Sequence, residues 1–191
     1  MSGIIGGGRS RSNIIGTVTS GTLGSGVTFP AGHVIGRSSF QDEDASVVTT
    51  SSSAYTNTGL EVVHTTTASS TDSYIEYQFY SGMSYTSLIN KRGQLDCCMT
   101  DSSDSTYSDG NSISTGLHCH FQKSAIAEMY YPVYWRALCG LETGMGVSSD
   151  KGTWNAGDTL YFRAFVRVDG GEFRVIHNNT QVTITVTEHR R

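Results

Sequence analysis

Thr159-Leu160-Tyr161-Phe162-Arg163-Ala164-Phe165-Val166-Arg167-Val168 is the stretch that decides the fold. Leu160, Phe162, Ala164 and Val166 alternate with Tyr161, Arg163, Phe165 and Arg167, and a period of two puts the sets on opposite faces of a β-strand. Both faces carry bulk, so both are expected to be covered, one of them by a second subunit. Asn155-Ala156-Gly157-Asp158 forms a turn into this strand. Asp169-Gly170-Gly171-Glu172 forms a turn out of it, with the pattern of a hairpin whose second strand, residues 173–177, returns alongside. Val182, Ile184 and Val186 then alternate with Thr183, Thr185 and Thr187, a third strand in succession.

The same pattern extends toward the N-terminus. In Tyr74-Ile75-Glu76-Tyr77-Gln78-Phe79-Tyr80, Ile75, Tyr77 and Phe79 share a face against Glu76 and Gln78. In residues 58–65, Leu60 and Val62 oppose Glu61 and Val63. These two segments are expected to pair with each other, placing Leu60, Val62, Ile75 and Phe79 over one core, each burial contributing about 1.5–3 kcal/mol. Residues 88–99 and 116–121 predict further strands, separated by an exposed Asp/Ser-rich loop at 101–111. Residues 130–140 predict one buried strand, with a short helix at 123–129 as an option before it. Val27-Thr28-Phe29-Pro30-Ala31-Gly32-His33-Val34-Ile35 predicts a short strand, a turn and another strand. About eight strands joined by turns, without helical crossovers, make the expected fold all-β: an antiparallel β-sandwich of jelly-roll type.

Composition agrees. The 191 residues suit a single core, and 22 glycines against 2 prolines, with 10 tyrosines, favour strands and tight turns over helices. Residues 1–26 stand apart as a Gly-rich extended arm in which Ser2-Gly3-Ile4-Ile5-Gly6 recurs as Ser12-Asn13-Ile14-Ile15-Gly16. Each isoleucine pair offers a small apolar foot, so Ile4, Ile5, Ile14 and Ile15, with Arg9 and Arg11, form the expected partner-docking set. Residues 27–191 are assigned to the sandwich. A net charge of −4 gives no general attraction to nucleic acid. No run approaches the roughly 20 apolar residues of a membrane span, and no secretory leader is recognised, so neither nucleic acid nor membrane is an expected partner. Cys97, Cys98, Cys119 and Cys139 lack the spacing of a disulfide scaffold and are expected to be reduced, packed thiols.

No residue pattern calls for catalysis. Gly24-Ser25-Gly26 lacks the nucleophile-elbow context, Gly6-Gly7-Gly8 neither follows a strand nor opens a helix, and Asp42-Glu43-Asp44 lies in one polar loop rather than across a cleft. The catalytic set is therefore empty and no cofactor is expected. His118-Cys119-His120 is the most metal-like tripeptide, since on a strand both imidazoles share a face; two ligands seldom hold a metal alone, so no metal site is assigned. Exposed rings would stack on sugars. Tyr107, Tyr130, Tyr131, Tyr134, Trp135 and Trp154 are the aromatics considered for that role, with Tyr130, Tyr131, Tyr134 and Trp135 as the glycan-contact set, although packing is the favoured use of the whole group.

The Ile-Ile-Gly repeat, the segment Phe29-Pro30-Ala31-Gly32-His33-Val34-Ile35 and the segment Tyr55-Thr56-Asn57-Thr58-Gly59-Leu60-Glu61-Val62 together resemble the β-rich virion proteins and fibre modules of marine and cyanobacterial tailed phages. The likeness covers the first third of the chain; beyond Tyr80 it is one of strand pattern and the Asn-Ala-Gly-Asp turn. It implies a non-catalytic particle protein, made in the host cytoplasm and resident in the virion, that decorates the capsid or forms part of a tail fibre. Its implied partners are copies of itself and other virion proteins, and the two-sided bulk of residues 160–168 makes a homotrimer the expected assembly. His118-Cys119-His120 also resembles the His-x-His motifs of some phage fibre proteins, in which three copies meet at an axis. The alternative function is a carbohydrate-binding module for host-receptor recognition.

Overall fold

The computed structural model describes residues 30–42, 48–86, 92–101, 113, 119–122, 131–140, 153–176 and 181–191. These form the strands β1 (Val34–Asp42), β2 (Val48–Thr50), β3 (Thr56–Thr65), β4 (Ser73–Thr86), β5 (Arg92–Thr100), β6 (Cys119–Gln122), β7 (Tyr131–Cys139), β8 (Thr159–Val168), β9 (Phe173–Ile176) and β10 (Val182–Arg190). The chain is all-β, and its strand pairs are antiparallel.

The strands build two sheets. One runs β1-β10-β4-β9-β2, with β7 on the other side of β4; the other runs β3-β8-β5-β6. With the short β2 and β9 set aside, the main strands pair as first with last (β1 with β10), then β3 with β8, β4 with β7 and β5 with β6. This nesting of pairs, distributed between two facing sheets, is the jelly-roll arrangement.

Alternation explains why the sheets close on each other. Leu60 and Val62 of β3, Leu95, Cys97 and Met99 of β5, and Leu160, Phe162, Ala164, Val166 and Val168 of β8 enter the core from one sheet. Ile75, Tyr77 and Phe79 of β4, Val133 and Cys139 of β7, and Val182, Ile184 and Val186 of β10 enter from the other. Gly93 lets the two layers touch: a methyl group at this position would overlap the Phe173 ring. Pro30 and Gly32 make the turn into β1, where the His33 N–H donates to Pro30 O at 3.1 Å and Gly32 takes φ 80°.

Three sequence expectations are corrected. Residues 58–65 and 74–80 do share a core, but they do not pair: β3 pairs with β8, and β4 is flanked by β10 and β7. Residues 173–176 do not return beside β8, because β3 and β5 already occupy both its flanks; β9 crosses to the other sheet and pairs with β2 and with Tyr85 and Thr86 of β4. The second bulky face of β8 is covered without a partner subunit, since Arg163 and Phe165 are buried within the single chain beside Gln94, Asp96 and Cys98. The docking arm with Ile4, Ile5, Arg9, Arg11, Ile14 and Ile15, the loop at 102–111 and the optional helix at 123–129 lie outside the described residues.

Candidate functional site

The two sheets differ on their outer faces. On that of β3-β8-β5 Arg163 pairs with Glu61 and lies 4.7 Å over the Tyr161 ring, while Arg167 lies 4.6 Å over Tyr55 and bonds Gln94. The outer face of β1-β10-β4-β7 carries Ser39 and Gln41, then the threonine row 183, 185 and 187, then Gln78, Tyr80, Tyr134 and Arg136.

On that open face Tyr80 of β4 stands directly opposite Tyr134 of β7. The rings are 39% and 62% exposed, and with Val34 and Val63 they are the large hydrophobic side chains left exposed among the described residues. Opposed side chains on neighbouring strands have Cβ atoms roughly 4.5–5.5 Å apart, so the two side chains leave the same face of the sheet next to each other, as a two-residue platform. Thr183 faces Tyr80 from β10, and the next row down pairs Gln78 with Arg136. Arg136 is bonded to Glu76, which also accepts from the Gln78 side-chain amide and lies 3.4 Å from His189 Nε2. Burial alone would raise the Glu76 pKa, but the bonds from Gln78 and Arg136 outweigh it and hold the carboxyl below its ordinary value. The positive charge beside the platform is thus balanced. His189 in turn stacks on Tyr74 at 4.8 Å, and its Nδ1 lies 3.2 Å from Gly32 O.

A second polar group lies at the end of the core. Ser38 Oγ is 3.0 Å from His64 Nδ1, and His64 Nε2 is 3.4 Å from Glu188 Oε2. Glu188 also accepts the Thr67 N–H at 2.6 Å and the Ala68 N–H at 2.9 Å. The order hydroxyl, imidazole, carboxylate is that of a nucleophilic triad. A ring only 2% exposed between two sheets gives a substrate no approach, however, and the carboxylate is engaged by the β3–β4 turn. The group acts as a clamp joining β1, β3 and β10. Burial would raise the Glu188 pKa, but the bonds from His64, Thr67, Ala68 and Ser73 overcome this and lower it to about 2.

Of the glycan-contact set, Tyr134 is on the open face. Trp135, by alternation, points inward, packs half-buried against the core and meets Tyr77 edge-on at 5.4 Å, away from the open face. Trp154 is buried as well, its Nε1 donating to Ala68 O at 3.0 Å. Tyr130, Tyr107 and His118 lie outside the described residues, Tyr131 belongs to β7, and the backbone of His120 is registered opposite Gln94 in β5. Among the described residues no group of three or more His, Cys, Asp or Glu could hold a metal ion, and no helix is long and apolar enough to cross a membrane. Cys97, Cys98 and Cys139 are buried thiols.

Sequence inspection did not single out Tyr80, His64 or Glu188. Their signal is phase: Tyr80 continues the outward series Glu76, Gln78, while His64 continues the inward series Leu60, Val62 and Glu188 the inward series Val182, Ile184, Val186. An ionisable residue in the phase of a core series marks a buried polar contact that needs a partner.

No family model and no curated protein matches the chain. Among solved structures it is similar to the Eiger TNF of S. frugiperda, at 13% identity over 79% of this chain and 90% of that one, with a TM-score of 0.41.

Proposed function

We propose that this chain is a non-catalytic structural module of a tailed-phage particle, a capsid decoration or tail-fibre component, that assembles as a homotrimer and docks on other virion proteins. The observation that carries the assembly reading is the flank formed by β1 and β3. Each ends its sheet, and among the described residues no strand pairs with the second side of either. The clamp holds the two edges together through Ser38 and His64. Val34 on β1 and Val63 on β3 are 48% and 45% exposed, so each of these end strands carries an exposed apolar side chain. Such an edge is a template for a further strand. Residues 1–26, which read as an extended arm with isoleucine feet, are the segment that would add to it from a neighbouring copy or lie on another virion protein.

Light scattering on the full chain tests this. A mass of three copies is expected for the wild type, and smaller species for the Val34→Lys/Val63→Lys variant and for a chain lacking residues 2–16, each with an unchanged circular-dichroism spectrum. In the particle, the shortened chain should fold but fail to incorporate. A wild type that stays monomeric at all concentrations, or normal incorporation of the shortened chain, would overturn the proposal.

A further inference from the structure

We infer that the Tyr80–Tyr134 platform is a binding site for a neutral saccharide. This goes beyond the assembly reading and occupies a different surface, since the platform lies on β4 and β7 whereas the assembly edges are β1 and β3.

The chemistry follows from the residues present. Aromatic ring faces carry the negative part of a quadrupole, and the axial C–H groups of a pyranose supply the complementary positive surface. Two exposed rings side by side, on rigid neighbouring strands, offer that face with little ordering cost, because a tyrosine fixed on a sheet has few rotamers to lose. Hydroxyl groups need donors and acceptors at the rim, and Gln78, Thr183 and Arg136 stand there. Arg136 spends its charge on Glu76. The rim therefore has hydrogen-bonding capacity without net charge, which fits a neutral sugar better than a uronate or a phosphorylated one.

Size separates this occupant from a second copy of the chain. Two tyrosines bury at most about 150–250 Å² each, far short of the roughly 800 Å² per partner of a stable protein interface. Around the rings stand Thr183, Gln78 and the paired Arg136, and the exposed apolar neighbour on β7 is the small Pro132. A single open platform fits a weak ligand that gains strength when several copies of the chain engage a multivalent glycan.

Saturation-transfer NMR on the intact chain tests the site with cello-, malto-, manno- and galacto-oligosaccharides as probes, each at about 10 mM so that millimolar binders register. At least one probe should bind the wild type. Tyr134→Ala and Tyr80→Ala should each weaken it about tenfold or more, and Tyr134→Phe, which keeps the ring, should stay within about threefold. Light scattering of Tyr134→Ala should show the wild-type mass. No binding by any probe, binding unaffected by Tyr134→Ala, or a change of mass in that variant would each overturn the inference, the last by placing another copy on the platform. A monomeric wild type that binds a probe would overturn the assembly proposal alone.

Discussion

Glu188 Oε2 lies 3.4 Å from His64 Nε2, and this contact joins the last strand of one sheet to an edge strand of the other. The carboxylate also holds the N–H groups of Thr67 and Ala68, so one side chain fixes β10, β3 and the turn into β4. Removing the carboxylate leaves the Thr67 and Ala68 N–H groups without their acceptor, and each buried group orphaned in this way costs about 1–3 kcal/mol. Glu188→Ala is therefore expected to lower the unfolding free energy by about 2–6 kcal/mol, and Glu188→Gln, which keeps an acceptor for one N–H, by less. Urea unfolding of the two variants decides it; equal losses would show that the charge and acceptor number are irrelevant.

The same residue dictates an acid response. Its pKa falls from 4.5 to about 2 on folding, so the stability it contributes is complete above about pH 4.5 and is lost as pH falls toward 2. The shift corresponds to about 3 kcal/mol. Wild-type stability measured across this window should fall more steeply than that of Glu188→Gln. Parallel curves would refute the assignment.

Gly93 admits no side chain. The Phe173 ring from the facing sheet occupies the space a methyl group would take. Gly93→Ala is expected to destabilise the domain by about 1–3 kcal/mol, and Phe173→Leu in the same chain should relieve part of the overlap. A double-mutant cycle measured by thermal denaturation gives the coupling, and additive losses would show that the two residues do not meet.

The core thiols should be inert in the native state. Burial pushes the Cys139 pKa up to about 12 and that of Cys97 well above its ordinary value, which leaves little thiolate to react. Mass spectrometry after iodoacetamide treatment at pH 8 is expected to find both unmodified in the folded chain and modified after unfolding in guanidinium. Labelling of either in the native protein would contradict their packing.

Strand identity was legible in the sequence because alternation is local. Residues 58–65, 74–80 and 159–168 appear as strands, as do 182–188 of the expected 181–188, and Leu60, Val62, Ile75 and Phe79 face inward as expected. Pairing was not legible, because parity says which face a residue takes but not which neighbour its backbone finds. Leu60 and Ile75 meet the same core from opposite sheets, so either pairing satisfies the apolar pattern. Likewise Asp169-Gly170-Gly171-Glu172 carries hairpin chemistry, yet β8 had no free flank for a returning strand. The tyrosine platform was half visible: Tyr134 was noted, but its neighbour Tyr80 comes from a strand some fifty residues earlier, which only the β4–β7 register reveals.

The nesting of β1 against β10 has a consequence for biosynthesis. Until residues 182–190 leave the ribosome, β1 lacks the strand it pairs with, and β4 has an empty flank with Ile75, Tyr77 and Phe79 beside it. The nascent chain therefore cannot close its sandwich until β10 has emerged, and closure proceeds at the slow rates of distant strand pairing. Chains truncated before Val182 should accumulate as aggregates, so in this molecule the final strand acts as the fastener of the whole domain.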